Sequence, residues 1–180
     1  MLRARITISL PCAKRGGGLG WGQFRNRGHL MRMVMFENPN RDERCALLAR
    51  VKTIAVVGLS PNPARPSHGV SAAMQGFGYN IIPVHPAVKE VLGVKAYARL
   101  ADIDTPVDLV NVFRQPEFVS GIVDECIALG LKAIWLQDGV IDAAAAARAR
   151  AAGMFVVMDR CIYRDYKNEY LSRSAPAQTR

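Results

Sequence analysis

The 180-residue chain is half hydrophobic, yet no apolar run approaches the roughly 20 residues a spanning helix requires, so no membrane helix is expected and one substantial domain is. The formal charge of +9 is unevenly placed: residues 1–36 carry seven Lys and Arg and no acid, whereas 37–171 hold 15 residues of each sign. The folded part is therefore neutral, which excludes a nucleic-acid groove as the default reading. Cys12, Cys45, Cys126 and Cys161 are dispersed, with no C-x-x-C pair and no histidine at ligand spacing. That disfavours zinc and a disulfide framework, and leaves reduced thiols in a cytoplasmic protein as the expectation.

In chain order, residues 1–36 are rich in Gly and Arg and lack apolar periodicity, as in "KRGGGLGWGQFRNRGH". They read as a basic, disordered extension, with a targeting peptide or a nucleic-acid-binding arm as alternatives. "NRDERCALLARV" reads as a helix capped by Asn40 or Asp42 that buries Cys45, Leu48 and Ala49. "TIAVVG" is a strand apolar on both faces, as at the centre of a parallel sheet. A helix follows from Ser67 to Phe77, then the strand "YNIIPV" and a short third strand, "VKAY". "VDLVNVF" gives a long strand, and Pro116 opens a helix that ends at Gly130. "KAIWLQ" and "MFVVM" are further strands, separated by an Ala-rich helix capped by Asp142. Residues from Cys161 to Leu171 form a terminal amphipathic helix.

Strands alternating with helices predict a single Rossmann-like three-layer α/β/α domain over residues 37–171, followed by a flexible tail, 172–180. Its sheet is expected to be mainly parallel and five-stranded, in the order 3-2-1-4-5. Ligands of such sheets bind beyond the carboxyl ends of the strands, where strand order reverses. The turn after the first strand, "GLSPNPARPS", supplies Gly58, Ser60, Arg65 and Ser67. A serine hydroxyl, a forked guanidinium and a helix start with Ser67 as N-cap suit a phosphate. An NAD site would place an acid after the second strand, where this chain has Val84, His85 and Pro86. A G-x-G-x-x-G turn and a Walker loop are both missing.

The blocks "VVGLSPNPARPSHGV", "GYNIIPVHP", "VLGVKAY", "VDLVNVFR", "WLQDGV" and "VVMDRC" resemble, in order and spacing, the small bacterial stand-alone CoA-binding proteins. These are similar to the CoA-binding domain of the succinyl-CoA synthetase α subunit, and the resemblance covers roughly residues 40–165. It implies coenzyme A along the strand ends. Gly58, Leu59, Ser60 and Arg65 would approach its phosphates, with Ser67 at the helix start. Val84, His85 and Pro86 would line the nucleotide, Phe113 and Arg114 would cover the cleft, and Gln137 with Gly139 would close its far side. Relatives often carry Asn at the position of His85, a mild departure.

No catalytic set is visible, and the chain has no room for the second domain that carries the phosphorylated histidine of the synthetase. Glu117 and Asp138 read as helix-start and turn residues, and Trp135 as core. Cys161 follows the last strand; a buried or half-exposed structural thiol is the base reading, a mixed disulfide with CoA the sharper one. The function expected is non-enzymatic binding of CoA or an acyl-CoA, with no nucleic acid and no membrane as partner. The alternatives are a small NAD(P)-dependent oxidoreductase and an interaction protein with a vestigial nucleotide pocket.

Overall fold

The computed structural model describes residues 36–174. The expected basic extension, apart from Phe36, and the end of the tail lie outside them.

Helix α1, Arg41–Arg50, opens on a reciprocal cap: the Asn40 side chain accepts from the Glu43 N–H at 2.9 Å, and Glu43 accepts from the Asn40 N–H at 2.7 Å. It buries Arg44, Cys45, Leu47 and Leu48, whereas Ala49 is exposed. The remaining elements are β1, Thr53–Val57; α2, Pro66–Gly76; β2, Asn80–Val84; β3, Glu90–Val91; β4, Val94–Lys95; and β5, Leu109–Val112. They continue with α3, Val119–Ala128; β6, Ala133–Leu136; α4, Ala143–Ala151; and β7, Phe155–Val157. A terminal helix then runs from α5, Ile162–Asp165, through a wide π turn, Tyr166–Tyr170, into α6, Leu171–Ser174.

Five strands form one sheet, β2-β1-β5-β6-β7, every pair parallel. Alternation along the strands divides the core in two. Ala55, Val110, Val112, Ile134 and Leu136 pack toward α3 and α4, with Val123, Cys126 and Ala146. Ile54, Val56, Leu109, Trp135 and Val157 face the other layer, with Leu47, Leu48, Met74, Ile162 and Tyr166. The three-layer α/β/α domain is as expected. Asp108 fixes its lower edge, its carboxylate accepting from the Lys52 and Thr53 N–H groups at 2.9 Å each.

The expected third strand is the one element that contracts. The chain turns back at Leu92 (φ 55°) and Gly93 (φ 74°), and β3 pairs antiparallel with β4 as a separate hairpin. Tyr97 bridges to the β2 edge: its N–H donates to the Pro83 carbonyl at 2.9 Å, and its carbonyl accepts from His85 N–H at 2.8 Å. Pro83 thus sits in an edge strand, where a missing N–H costs no ladder bond. The fifth place in the sheet is filled by β7 at the opposite edge.

Burial of the Cys126 thiol, with Glu125 beside it, pushes its pKa from 9.0 up to about 12, and burial likewise raises Tyr79 above its ordinary 10.0. The folded chain holds these protons after the unfolded chain has lost them. The stability they contribute is complete below pH 9 and falls as pH rises, by up to about 1.4 kcal/mol per unit for each group. Urea midpoints measured at pH 8, 9 and 10 should drop across that window, and less steeply in Cys126→Ala. Equal slopes in the two proteins would contradict this account.

Candidate functional site

The sheet order reverses between β1 and β5, since β2 lies on one side of β1 and β5 on the other. A cleft of about 710 Å³ opens there at the carboxyl edge. It collects residues from five strand ends: Gly58 and Ser60 after β1, His85 after β2, Phe113 and Arg114 after β5, Gln137 and Gly139 after β6, and Cys161 after β7. Arg65 and Ser67 enter it from the start of α2.

Gly58 sets the crevice. Its φ is +85°, and a Cβ there would stand 2.5 Å from the Phe113 carbonyl oxygen and 2.8 Å from Arg114 Cδ. That carbonyl has no room to retreat, because Gly58 N–H bonds Val84 O and Phe113 N–H bonds Val57 O, both at 2.9 Å. Gly58→Ala should therefore cost about 3 kcal/mol, the left-handed backbone and the contact adding. Urea denaturation of the variant checks this; a loss under about 1 kcal/mol would show that the strand ends can separate freely.

The turn after Gly58 is organised by its own serines. Ser60 N–H donates to Ser67 Oγ at 3.1 Å, Asn62 N–H to Ser60 Oγ at 3.1 Å, and Ala64 N–H to Asn62 Oδ1 at 2.9 Å. Each serine hydroxyl accepts in this network, which leaves its proton to donate elsewhere. The expected N-cap is displaced: Arg65 holds the cap position, Pro66 follows, and Ser67 lies buried in the first turn. The helix start still faces the cleft, and Arg65 is exposed beside it.

Arg114 borders the cleft from the β5 side, its guanidinium 4.5 Å from the centre of the Phe118 ring. Neither Arg65 nor Arg114 has a carboxylate partner among the described residues, whereas Arg44, Arg99, Arg148, Arg160 and Arg164 are all paired. His85 accepts from Ala87 N–H through Nδ1 at 3.2 Å, so its proton sits on Nε2, available as a donor.

Three expected site residues lie off this cleft. Leu59 points into the core and is wholly buried. Val84 and Pro86 line a neighbouring cleft of about 260 Å³, which meets the main one at Gly58 and Arg114.

The far wall contains a feature the sequence reading overlooked. Gln137 is buried and its Nε2 donates to Asn111 Oδ1 on β5 at 2.7 Å. Asn111, the polar residue inside the apolar run "LVNV", was the signal. Gly139 N–H donates to Asp159 Oδ1 at 2.8 Å, and Arg164 grips Asp138 at 2.6 Å. Trp135, in the core as expected, donates from Nε1 to Arg160 O at 2.6 Å. Among the described residues, no group of three His, Cys, Asp or Glu could hold a metal, and no helix is long and apolar enough to cross a membrane.

Comparison with known proteins adds a second line. The sequence profile of the family described as CoA binding domain matches residues 52–167. A Bacillus subtilis protein named Uncharacterized protein YneT is 46% identical over 126 residues, 70% of this chain and 93% of that one. The structure of a hypothetical protein from Pyrococcus horikoshii OT3 matches with a TM-score of 0.71 at 31% identity, over 76% of this chain and 99% of that one. The α subunit of an ADP-forming acetate–CoA ligase II from Pyrococcus furiosus is 33% identical over 82 residues, 45% of this chain but 18% of that subunit. The likeness to the ligase therefore reaches one part of a larger protein.

Proposed function

The chain belongs to the CoA-binding domain family, and from that premise we propose that it binds coenzyme A or an acyl-CoA in the carboxyl-edge cleft without transforming it. The observation that carries the reading is the pair of guanidinium groups, Arg65 and Arg114, with no carboxylate partner among the described residues, on one cleft that also presents two serine hydroxyls and a helix start. Cations held without carboxylates around a concave site fit a ligand with several phosphate charges. Asn62, Pro63 and Pro66 keep the loop in one shape before any ligand arrives.

A binding role without chemistry is supported by the same geometry. His85 has no carboxylate to orient it among the described residues, because a backbone N–H takes its Nδ1. Glu117 lies in a 3-10 turn after Pro116, and Asp138 is neutralised by Arg164. On this reading the protein holds CoA for, or reports its level to, other cytoplasmic components.

Calorimetric titration of the full chain with CoA, dephospho-CoA, NAD and NADP tests the proposal. Binding of CoA at micromolar concentration, with NAD and NADP at least a hundredfold weaker, is the expected result (about 2.7 kcal/mol of discrimination). Tighter binding of NAD or NADP would favour the oxidoreductase alternative. No binding by any of the four would favour a vestigial pocket.

A further inference from the structure

Beside the main cleft lies an open-sided recess of about 200 Å³. Cys161 lines both spaces. Asp138 borders the cleft, Arg164 borders the recess, and their ion pair at 2.6 Å forms a sill between them. The walls beyond are Asp159, Arg160, Asp165, Asn168 and Glu169. Arg160 is already committed, to Asp165 at 2.7 Å and to Glu169 at 3.0 Å. Asp165 and Glu169 are also bonded by Arg44 at 2.7 and 2.6 Å, and Arg164 faces Asp138, so the formal excess of negative charge in this polar recess comes from Asp159.

Its position relative to the anion-binding end matters. Ser60 follows β1 and Cys161 follows β7, three strands further along the sheet. At the usual strand spacing that is about 14 Å. A ligand whose phosphates sit at Ser60 and Arg65 and whose arm runs along the strand ends brings its thiol end toward Cys161 and the sill.

We propose that the recess receives the acyl group carried on the CoA sulfur, and that it selects short, uncharged, hydrogen-bonding acyl groups over dicarboxylic and long-chain ones; the proposal rests on the CoA reading of the main cleft. A second carboxylate on the acyl group would meet the carboxylate of Asp159, while Arg160 and Arg164 already face carboxylates of this chain. A long alkyl chain would strip water from Asp159, Asn168 and the outer side of the ionic cluster, and no new partner would replace it. A hydroxylated short acyl group keeps such polar walls satisfied.

The full chain is titrated with CoA, 3-hydroxybutyryl-CoA, succinyl-CoA and octanoyl-CoA. The proposal expects the hydroxyacyl thioester to bind at least as tightly as CoA, and the succinyl and octanoyl thioesters at least tenfold more weakly. Asn168 is exposed, so Asn168→Leu should fold normally, and it should lower the hydroxybutyryl-to-octanoyl affinity ratio at least fivefold. Equal affinities for the three thioesters, or an unchanged ratio in Asn168→Leu, would overturn the proposal while leaving the CoA reading intact. If CoA itself fails to bind, both fall together.

Discussion

Asp165→Leu should destabilise the protein by about 3–5 kcal/mol, the range for removing one partner of a buried ionic cluster. Asp165 is 4% exposed and receives Arg44 at 2.7 Å and Arg160 at 2.7 and 2.8 Å. Arg44 is itself buried at 6% and also bonds Glu169 at 2.6 Å and Pro39 O at 2.5 Å. Two guanidinium groups and two carboxylates therefore form a nearly neutral unit between α1, the β7 loop and the terminal helix. Removing Asp165 alone leaves the buried Arg44 guanidinium without one of its two carboxylates. Removing Arg44 as well, in Arg44→Met/Asp165→Leu, leaves Arg160 and Glu169 to pair with each other, and should cost less than Asp165→Leu alone. Urea denaturation of the three proteins decides the matter: a single-variant loss under about 1 kcal/mol, or a double variant worse than the single, would contradict a buried cluster of this kind.

The second large effect falls on binding. Each guanidinium that meets a phosphate oxygen through a charge-assisted hydrogen bond contributes about 1.5–3 kcal/mol, or roughly ten- to hundredfold in affinity. Arg65→Ala and Arg114→Ala should each weaken CoA binding by that factor, and the double variant by roughly a hundred- to ten-thousandfold. Neither residue has a carboxylate to leave unpaired among the described residues, so stability should hardly change. Arg114 also covers Phe118 at 4.5 Å, and its loss exposes that ring further. Raising the salt concentration should narrow the gap between the native and variant proteins, since screening weakens the contacts the variants have lost. Affinities unchanged within threefold would place the phosphates elsewhere.

The sheet was legible because its strands are buried on both faces, so "TIAVV", "LVNV" and "AIWL" read as apolar runs without alternation. The third strand was not, because the Leu92-Gly93 turn pairs Glu90–Val91 with Val94–Lys95 and leaves an isolated bridge from Tyr97 to β2. Register at the α2 start was misread for a related reason: Pro66 suits the first helical position, which moves the cap back to Arg65 and turns Ser67 inward to Ser60. Leu59 shows the limit of reading a turn from its residue types. The backbone belongs to the turn, but the side chain fills the core behind β1. The ionic cluster could not be foreseen, since Arg44 and Asp165 are separated by 121 positions and nothing local marks either one. The serines and arginine of the turn after β1 were legible from local residue types, while the far wall depends on contacts made by Asp159, after β7, and Arg164, on α5.

The most direct test of the central claim is a crystal structure of the full chain grown with CoA. The account predicts the pyrophosphate within hydrogen-bonding distance of Ser60, Arg65 or Ser67, the nucleotide beside His85 and Arg114, and the thiol end near Cys161. An empty cleft at saturating CoA, or CoA ordered on another face of the domain, would contradict it.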